Sequence, residues 1–172
     1  MRHEPNAFWN YSLKLYAVAA VADACLALQE RAGADVNLLL FCCWRGSRGH
    51  ALGKPFLRRT VAAVAEWQCQ VVVPLRQARR FVKAGIPSMP LKRREQLRRD
   101  IGGVELDAEY LEQLLLIQRI AGKALAVSRH PTATVIAANL QRYLELLEIP
   151  QEPSIERHLA VLQAACRANP SR

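Results

Sequence analysis

Four cations stand where they could grip an anion. Arg76, Arg79, Arg80 and Lys83 occur at i, i+3, i+4 and i+7, and at about 100° per residue of α-helix they would form one stripe roughly 100° wide. Arg58 precedes Arg76 by 18 residues, five whole turns, so an uninterrupted helix would bring it onto the same line. Lys92, Arg93, Arg94, Arg98 and Arg99 follow. Such a surface would suit the phosphates of a nucleic acid, an acidic lipid face or an acidic protein. The plain alternative is a solvated face whose cations pair with Glu66, Glu95, Asp100 or the acidic turn near Glu109. No aromatic residue interleaves the stripe, and Phe81 would project away from it. Stacking on bases is therefore not indicated, and any nucleic-acid contact would be independent of base sequence.

A second group, Asp35, Asn37, Trp44 and Arg45, could line a polar pocket. Its simpler members need no ligand, since Asp35 suits an N-cap and Asn37 a buried amide that fixes helix packing. Nucleophilic catalysis needs a Cys or Ser with a base in reach, but His3, His50, His130 and His158 are dispersed along the chain. Cys42 and Cys43 are adjacent, so on a helix they point about 100° apart, which favours a structural role. No His, Cys or carboxylate pair has metal-ligand spacing, and Gly46, Gly49 and Gly53 lack the features of a phosphate-binding loop. No catalytic residue, metal or cofactor is expected.

The elements that must position these residues read as helices throughout. Asn6 is a natural N-cap for residues Ala7 to Tyr16, and Val18 to Arg31 follows, with Gly33 as its left-handed stop. Asp35 caps Val36 to Arg45, where Val36 to Trp44 is apolar nearly all round and so belongs at the centre of a bundle. After Pro55, the residues Leu57, Val61, Val64, Gln68, Val71, Leu75, Ala78 and Val82 keep one apolar seam, with Pro74 predicting a kink or a tight break and with Gly85 and Pro87 as the end. Pro90 to Ile101 reads as a short basic helix stopped by Gly102 and Gly103. Ala108 to Ala126, Thr132 to Glu148 and Ser154 to Ala168 complete an all-α bundle of eight or nine helices, read as a single domain over residues 1–172.

Composition agrees with a globular chain, at 51% hydrophobic and 23% charged residues. Its 24 Lys and Arg exceed its 15 Asp and Glu, giving +9. The excess is local: between Leu75 and Asp100 nine cations face two acids. Met1 to Asn10 has no apolar run of the secretory kind, and the longest apolar run is under half of the roughly 20 residues that a membrane span needs. A cytoplasmic protein with no transmembrane segment is expected, its five cysteines reduced.

The run Phe8-Trp9-Asn10-Tyr11-Ser12-Leu13-Lys14-Leu15-Tyr16, then Leu28-Gln29, then Gly33-Ala34-Asp35-Val36-Asn37-Leu38-Leu39-Leu40-Phe41 resembles a family of short bacterial, mostly proteobacterial, proteins carried as a domain of unknown function. The likeness continues through Trp67 and the segment from Pro74 to Arg80, and fades near the C-terminus. It implies a helical intracellular protein and brings no catalytic residue, cofactor or substrate. The reading is therefore a non-catalytic interaction module that docks an acidic protein partner through Arg58, Arg76, Arg79, Arg80 and Lys83. A nucleic-acid backbone is the second reading and an enzyme with an unrecognised small-molecule pocket the third. The pattern neither requires nor forbids a homo-oligomer.

Overall fold

In the computed structural model, which describes residues 3–85, 88–122, 125–150 and 152–169, two of the helices begin where short polar residues stand. The Asn6 side chain accepts a 2.8 Å hydrogen bond from the Trp9 N–H and opens α1 (Ala7–Tyr16). The Asp35 carboxylate accepts one of 2.8 Å from the Asn37 N–H and opens α3 (Val36–Ser47). Each cap satisfies an N–H that a first helical turn leaves without a partner. Between them α2 (Ala19–Ala32) ends on Gly33, whose φ of 61° suits a residue without Cβ.

From Asn37 to Gly46 every residue of α3 is buried, so this helix runs through the core. Phe8 of α1 stacks on Trp44 at 4.9 Å between centroids and meets Phe41 edge-on at 5.6 Å. The far side of α3 packs on α7 (Thr132–Leu146), and α8 (Pro153–Ala168) lies against α2, adding Leu140, Tyr143, Leu159 and Leu162 to one apolar cluster. Gly46 lets the backbones touch: a Cβ there would lie 2.7 Å from Cα of Ile136. Asn139, fully buried, holds the intervening loop by accepting from the Leu52 N–H at 2.8 Å and donating to the carbonyls of His50 and Cys42.

The long rod of residues 54–84 is continuous: α4 (Lys54–Trp67), a π turn (Gln68–Val72) and α5 (Val73–Ala84). Pro74 neither breaks it nor preserves its register. The Val73 N–H donates to the Gln68 carbonyl five residues back, a widened turn placed just before the proline that has no N–H to give. Such a turn holds one residue more than an α-turn, so the inward line moves by one position. Leu57, Thr60 and Val64 are buried before it; Val72, its last residue, is buried, and beyond it Arg76 and Arg79 face inward, while Ala78 of the expected seam is exposed.

α6 (Leu91–Ile120) runs without a break through Gly102 and Gly103 and ends six residues before the expected Ala126. A Cβ on Gly102 would lie 3.3 Å from Cδ of Arg79, so the glycine marks a close approach of α5 to α6 rather than a stop. The expected pair of helices here is one, and the described residues hold seven helical rods instead of eight or nine. Gly85 ends α5 with φ 74°, whereas Pro87 lies outside the described residues. Among the described residues there is no strand, only an isolated bridge between His50 and Val127, and no single helix is long and apolar enough to cross a membrane.

Gly46→Ala tests the α3–α7 contact. In an open helix this change gains up to about 1 kcal/mol; here the added methyl meets the Ile136 backbone, and the expected result is a loss of about 1–3 kcal/mol in urea unfolding. A stabilised variant would refute the close approach.

Candidate functional site

The widened turn delivers two guanidiniums to one face of α6. Glu105, Glu109 and Glu112 stand at i, i+4 and i+7 on that helix and all turn inward, with Gln113 beside them. Arg76 donates from Nε to Glu105 at 3.1 Å and from Nη2 to Glu109 at 2.9 Å. Arg79 donates from Nε and Nη2 to the two oxygens of Glu105, a fork-to-fork pairing. The side chain of Glu105 is 7% exposed and that of Arg76 11%, so these charges are held in a dry setting where each needs the other. The Glu105 hydrogen bonds hold the Arg79 guanidinium up, and burial pushes the Glu109 carboxyl up against the opposing pull of Arg76.

Deeper in, a polar chain connects four helices. Ser12 of α1 and Gln113 exchange hydrogen bonds, Gln113 donates to the Asn37 side-chain Oδ1 at 2.9 Å, and the Asn37 side-chain amide donates to Glu112 at 3.1 Å. Tyr143 of α7 accepts from the Asp35 N–H at 2.9 Å. Asp35 Oδ2 and Glu112 Oε1 are buried and have no donor among these groups. Glu112 is hydrogen-bonded to Asp35, and burial with the Asp35 charge pushes its carboxyl up to about 10. A proton on Glu112 is the donor that both oxygens lack.

Above this chain lies a cleft of about 390 Å³ bounded by α1, α2, α3, α5 and α6. Arg76, Arg79, Glu105 and Glu109 form one wall, Ser12, Asn37 and Gln113 the floor, and the exposed Leu13, Tyr16, Leu26 and Leu106 the rim. Gln29 contributes a buried Oε1 with no partner.

The residues expected to act together are distributed as follows. Arg76 and Arg79 belong to the cleft wall, Arg80 pairs at the surface with Glu30 at 2.7 Å, and Arg58 and Lys83 are exposed. The five do not present one free cationic line, because the π turn rotates the stripe and the acids of α6 occupy its inner half. Asp35 and Asn37 do meet in a polar cluster. Trp44 and Arg45 lie elsewhere: Trp44 is in the aromatic core, and the Arg45 guanidinium sits 5.1 Å over its ring, lowered to about 10 by burial and by Arg48. Glu105, Gln113, Ser12 and Gln29 were not singled out by sequence reasoning. A helix stop at Gly102 and Gly103 hides the i, i+4, i+7 alignment that would reveal the acids.

Cys25, Cys42, Cys43 and Cys166 are buried free thiols and Cys69 is exposed. Burial pushes Cys25 and Cys42 up, so neither offers a thiolate near neutrality. No group of three or more His, Cys, Asp or Glu among the described residues could hold a metal ion.

A family model described as a protein of unknown function, DUF2390, matches residues 7–116. The chain belongs to this family. The DUF2390 match contains every residue that lines the cleft, from Trp9 to Gln113, and stops before α7 and α8. No curated protein and no solved structure matches the chain.

Two substitutions probe the buried charges. Glu105→Gln leaves Arg79 against a neutral amide, and a loss of about 3 kcal/mol is expected, the low end for a broken buried pair because Arg79 reaches solvent. A change within about 0.5 kcal/mol would show the pairing to be idle. Glu112 binds its proton more tightly folded than unfolded, so its stabilisation is full below the ordinary carboxylate range and is lost as pH rises towards about 10. Glu109, raised by burial, acts with the same sign. Urea unfolding should therefore show stability falling between about pH 5 and about pH 9, and Glu112→Gln, which keeps a donor for Asp35 without the titration, should remove most of that fall. An unchanged slope would mean that Glu112 is ionised in the fold.

Proposed function

We propose that the protein is a non-catalytic binding module whose cleft takes a small amphiphilic molecule with an uncharged polar end. The observation that carries this reading is a cavity of about 390 Å³ lined in part by Gln29, whose Oε1 is buried and has no partner among the described residues, a volume within the range of small-molecule sites. An acceptor without a donor in a half-buried wall is costly, and a ligand N–H or O–H would relieve it. Charge favours an uncharged end, since two guanidiniums already face two carboxyls and a net charge would unbalance them. The exposed Leu13, Leu26 and Leu106 at the rim favour an apolar body. Both oxygens of Glu105 are engaged by guanidiniums, and Glu109 accepts from Arg76 through one of its two, so the carboxyls of the wall are held in ion pairs, which supports binding rather than reaction. Docking of an acidic protein or a nucleic-acid backbone along the whole stripe draws less support, because Arg76 and Arg79 are committed to Glu105 and Glu109.

Ligand-observed saturation-transfer NMR with hexanamide, hexanoate and hexylammonium tests the reading. Transfer to hexanamide in preference to both ions is expected, and it should vanish in Leu106→Trp, which fills the mouth from an exposed position. No transfer to any of the three, or equal transfer in the variant, would sink the proposal.

A further inference from the structure

The hairpin of α5 and α6 is where the fold leaves its charge unspent. No residue of α5 is buried, and α6 contributes buried residues only from Glu105 onward. The two helix ends that meet near Gly85 and Pro90 therefore project beyond the core. Four large apolar side chains on this projection face water: Phe81 at 66% exposure, Leu91 at 63%, Met89 and Leu97 at 50% each. Three of them stand at the same end of the hairpin, Phe81 in the last turn of α5, Met89 in the link and Leu91 first in α6, and exposed large apolar residues gathered at one end mark a surface that meets a partner. Cations lie between them in sequence, and among the described residues Lys83, Lys92 and Arg93 are exposed and make no ion pair, while farther along α6 Arg99 donates to the neutral Gln96. Farther back the cations are used, Arg76 and Arg79 by Glu105, Arg80 by Glu30 and Arg98 by Glu95.

We propose that this hairpin tip docks end-on against an anionic lipid bilayer, so that side chains on opposite faces of α5, Phe81 and Lys83, both reach the interface: Lys83, Lys92 and Arg93 among the headgroup phosphates and Phe81, Met89 and Leu91 at the acyl boundary. A bilayer takes both kinds of side chain at once, each in its own layer, and the long stems of Lys and Arg let the charge stay at the headgroups while their methylenes follow the apolar residues inward. A nucleic-acid backbone would use the cations and leave the four apolar side chains in water. A second copy of this chain is disfavoured, because two tips of the same charge repel. A projecting tip also offers no groove for a folded partner, whereas a fluid surface needs none.

Co-sedimentation of the full chain with vesicles of phosphatidylcholine alone, or with added phosphatidylglycerol, tests this. Binding is expected only with phosphatidylglycerol and should weaken about tenfold or more on raising salt from about 0.1 M to about 0.5 M. Phe81→Ser with Leu91→Ser, and separately Lys83→Glu with Lys92→Glu and Arg93→Glu, should each lose binding by about tenfold or more while the helical circular dichroism and melting midpoint stay unchanged, since every position is exposed. Three outcomes would each overturn the proposal: no sedimentation with anionic vesicles, binding that survives either variant, or tighter binding of a single-stranded oligonucleotide that ignores the Phe81 and Leu91 changes. Because neither variant touches the cleft, hexanamide binding should persist in both, so the two readings fail separately.

Discussion

Proline at position 74 removes a backbone donor from the middle of a helical rod, and the chain answers by widening the turn before it instead of breaking. That single added residue rotates everything beyond it by about 100°. Had the α-register continued, Leu75 and Ala78 would face α6 and the four cations would share a solvent stripe. With the wide turn, Arg76 and Arg79 face Glu105 and Glu109, and the contact between α5 and α6 becomes ionic. A contact made of buried charge needs its partners complete, so the wall of the cleft is held by pairing and not by apolar packing.

The ionic wall also accounts for the unbroken course of α6. Two glycines in a helix interior cost about 1 kcal/mol each relative to alanine. Gly102 offsets its share by admitting the Arg79 stem to the helix surface, and the turn that follows places Glu105 against both guanidiniums. The acidic face then continues through Glu109 to Glu112, where the charge pattern changes character. Glu105 is gripped by two guanidiniums, whereas burial and the Asp35 charge push the Glu112 carboxyl up to about 10. Two carboxyls seven residues apart on one helix thus meet different neighbours.

Along the α5–α6 hairpin the charges divide in the same way. Arg76, Arg79 and Arg80, toward the bundle, pair with acids of the same chain, whereas among the described residues Lys83, Lys92 and Arg93 at the tip do not. Burial of Cys25 and Cys42 in the apolar centre, and of Asn37 and Asn139 with their hydrogen bonds complete, leaves the core of α3 chemically quiet.

Local rules were enough for the helical class, for the caps at Asn6, Gly33 and Asp35, and for α3 at the centre, since each depends on residues within a turn or two of one another. The run from Asn37 to Trp44 has no polar face to offer water, so burial was its only stable placement. The same rules placed a helix stop at Gly102 and Gly103 and kept one register through Pro74, and both readings differ from the fold for the same reason. Glycine and proline state what a helix loses, and a sequence shows that loss directly. What offsets it lies on another helix: Glu105 and Glu109 for the arginines, Arg79 for Gly102, Asp35 for the proton on Glu112. Those partners are 23 to 77 residues apart in the chain, and only tertiary packing could decide that they meet.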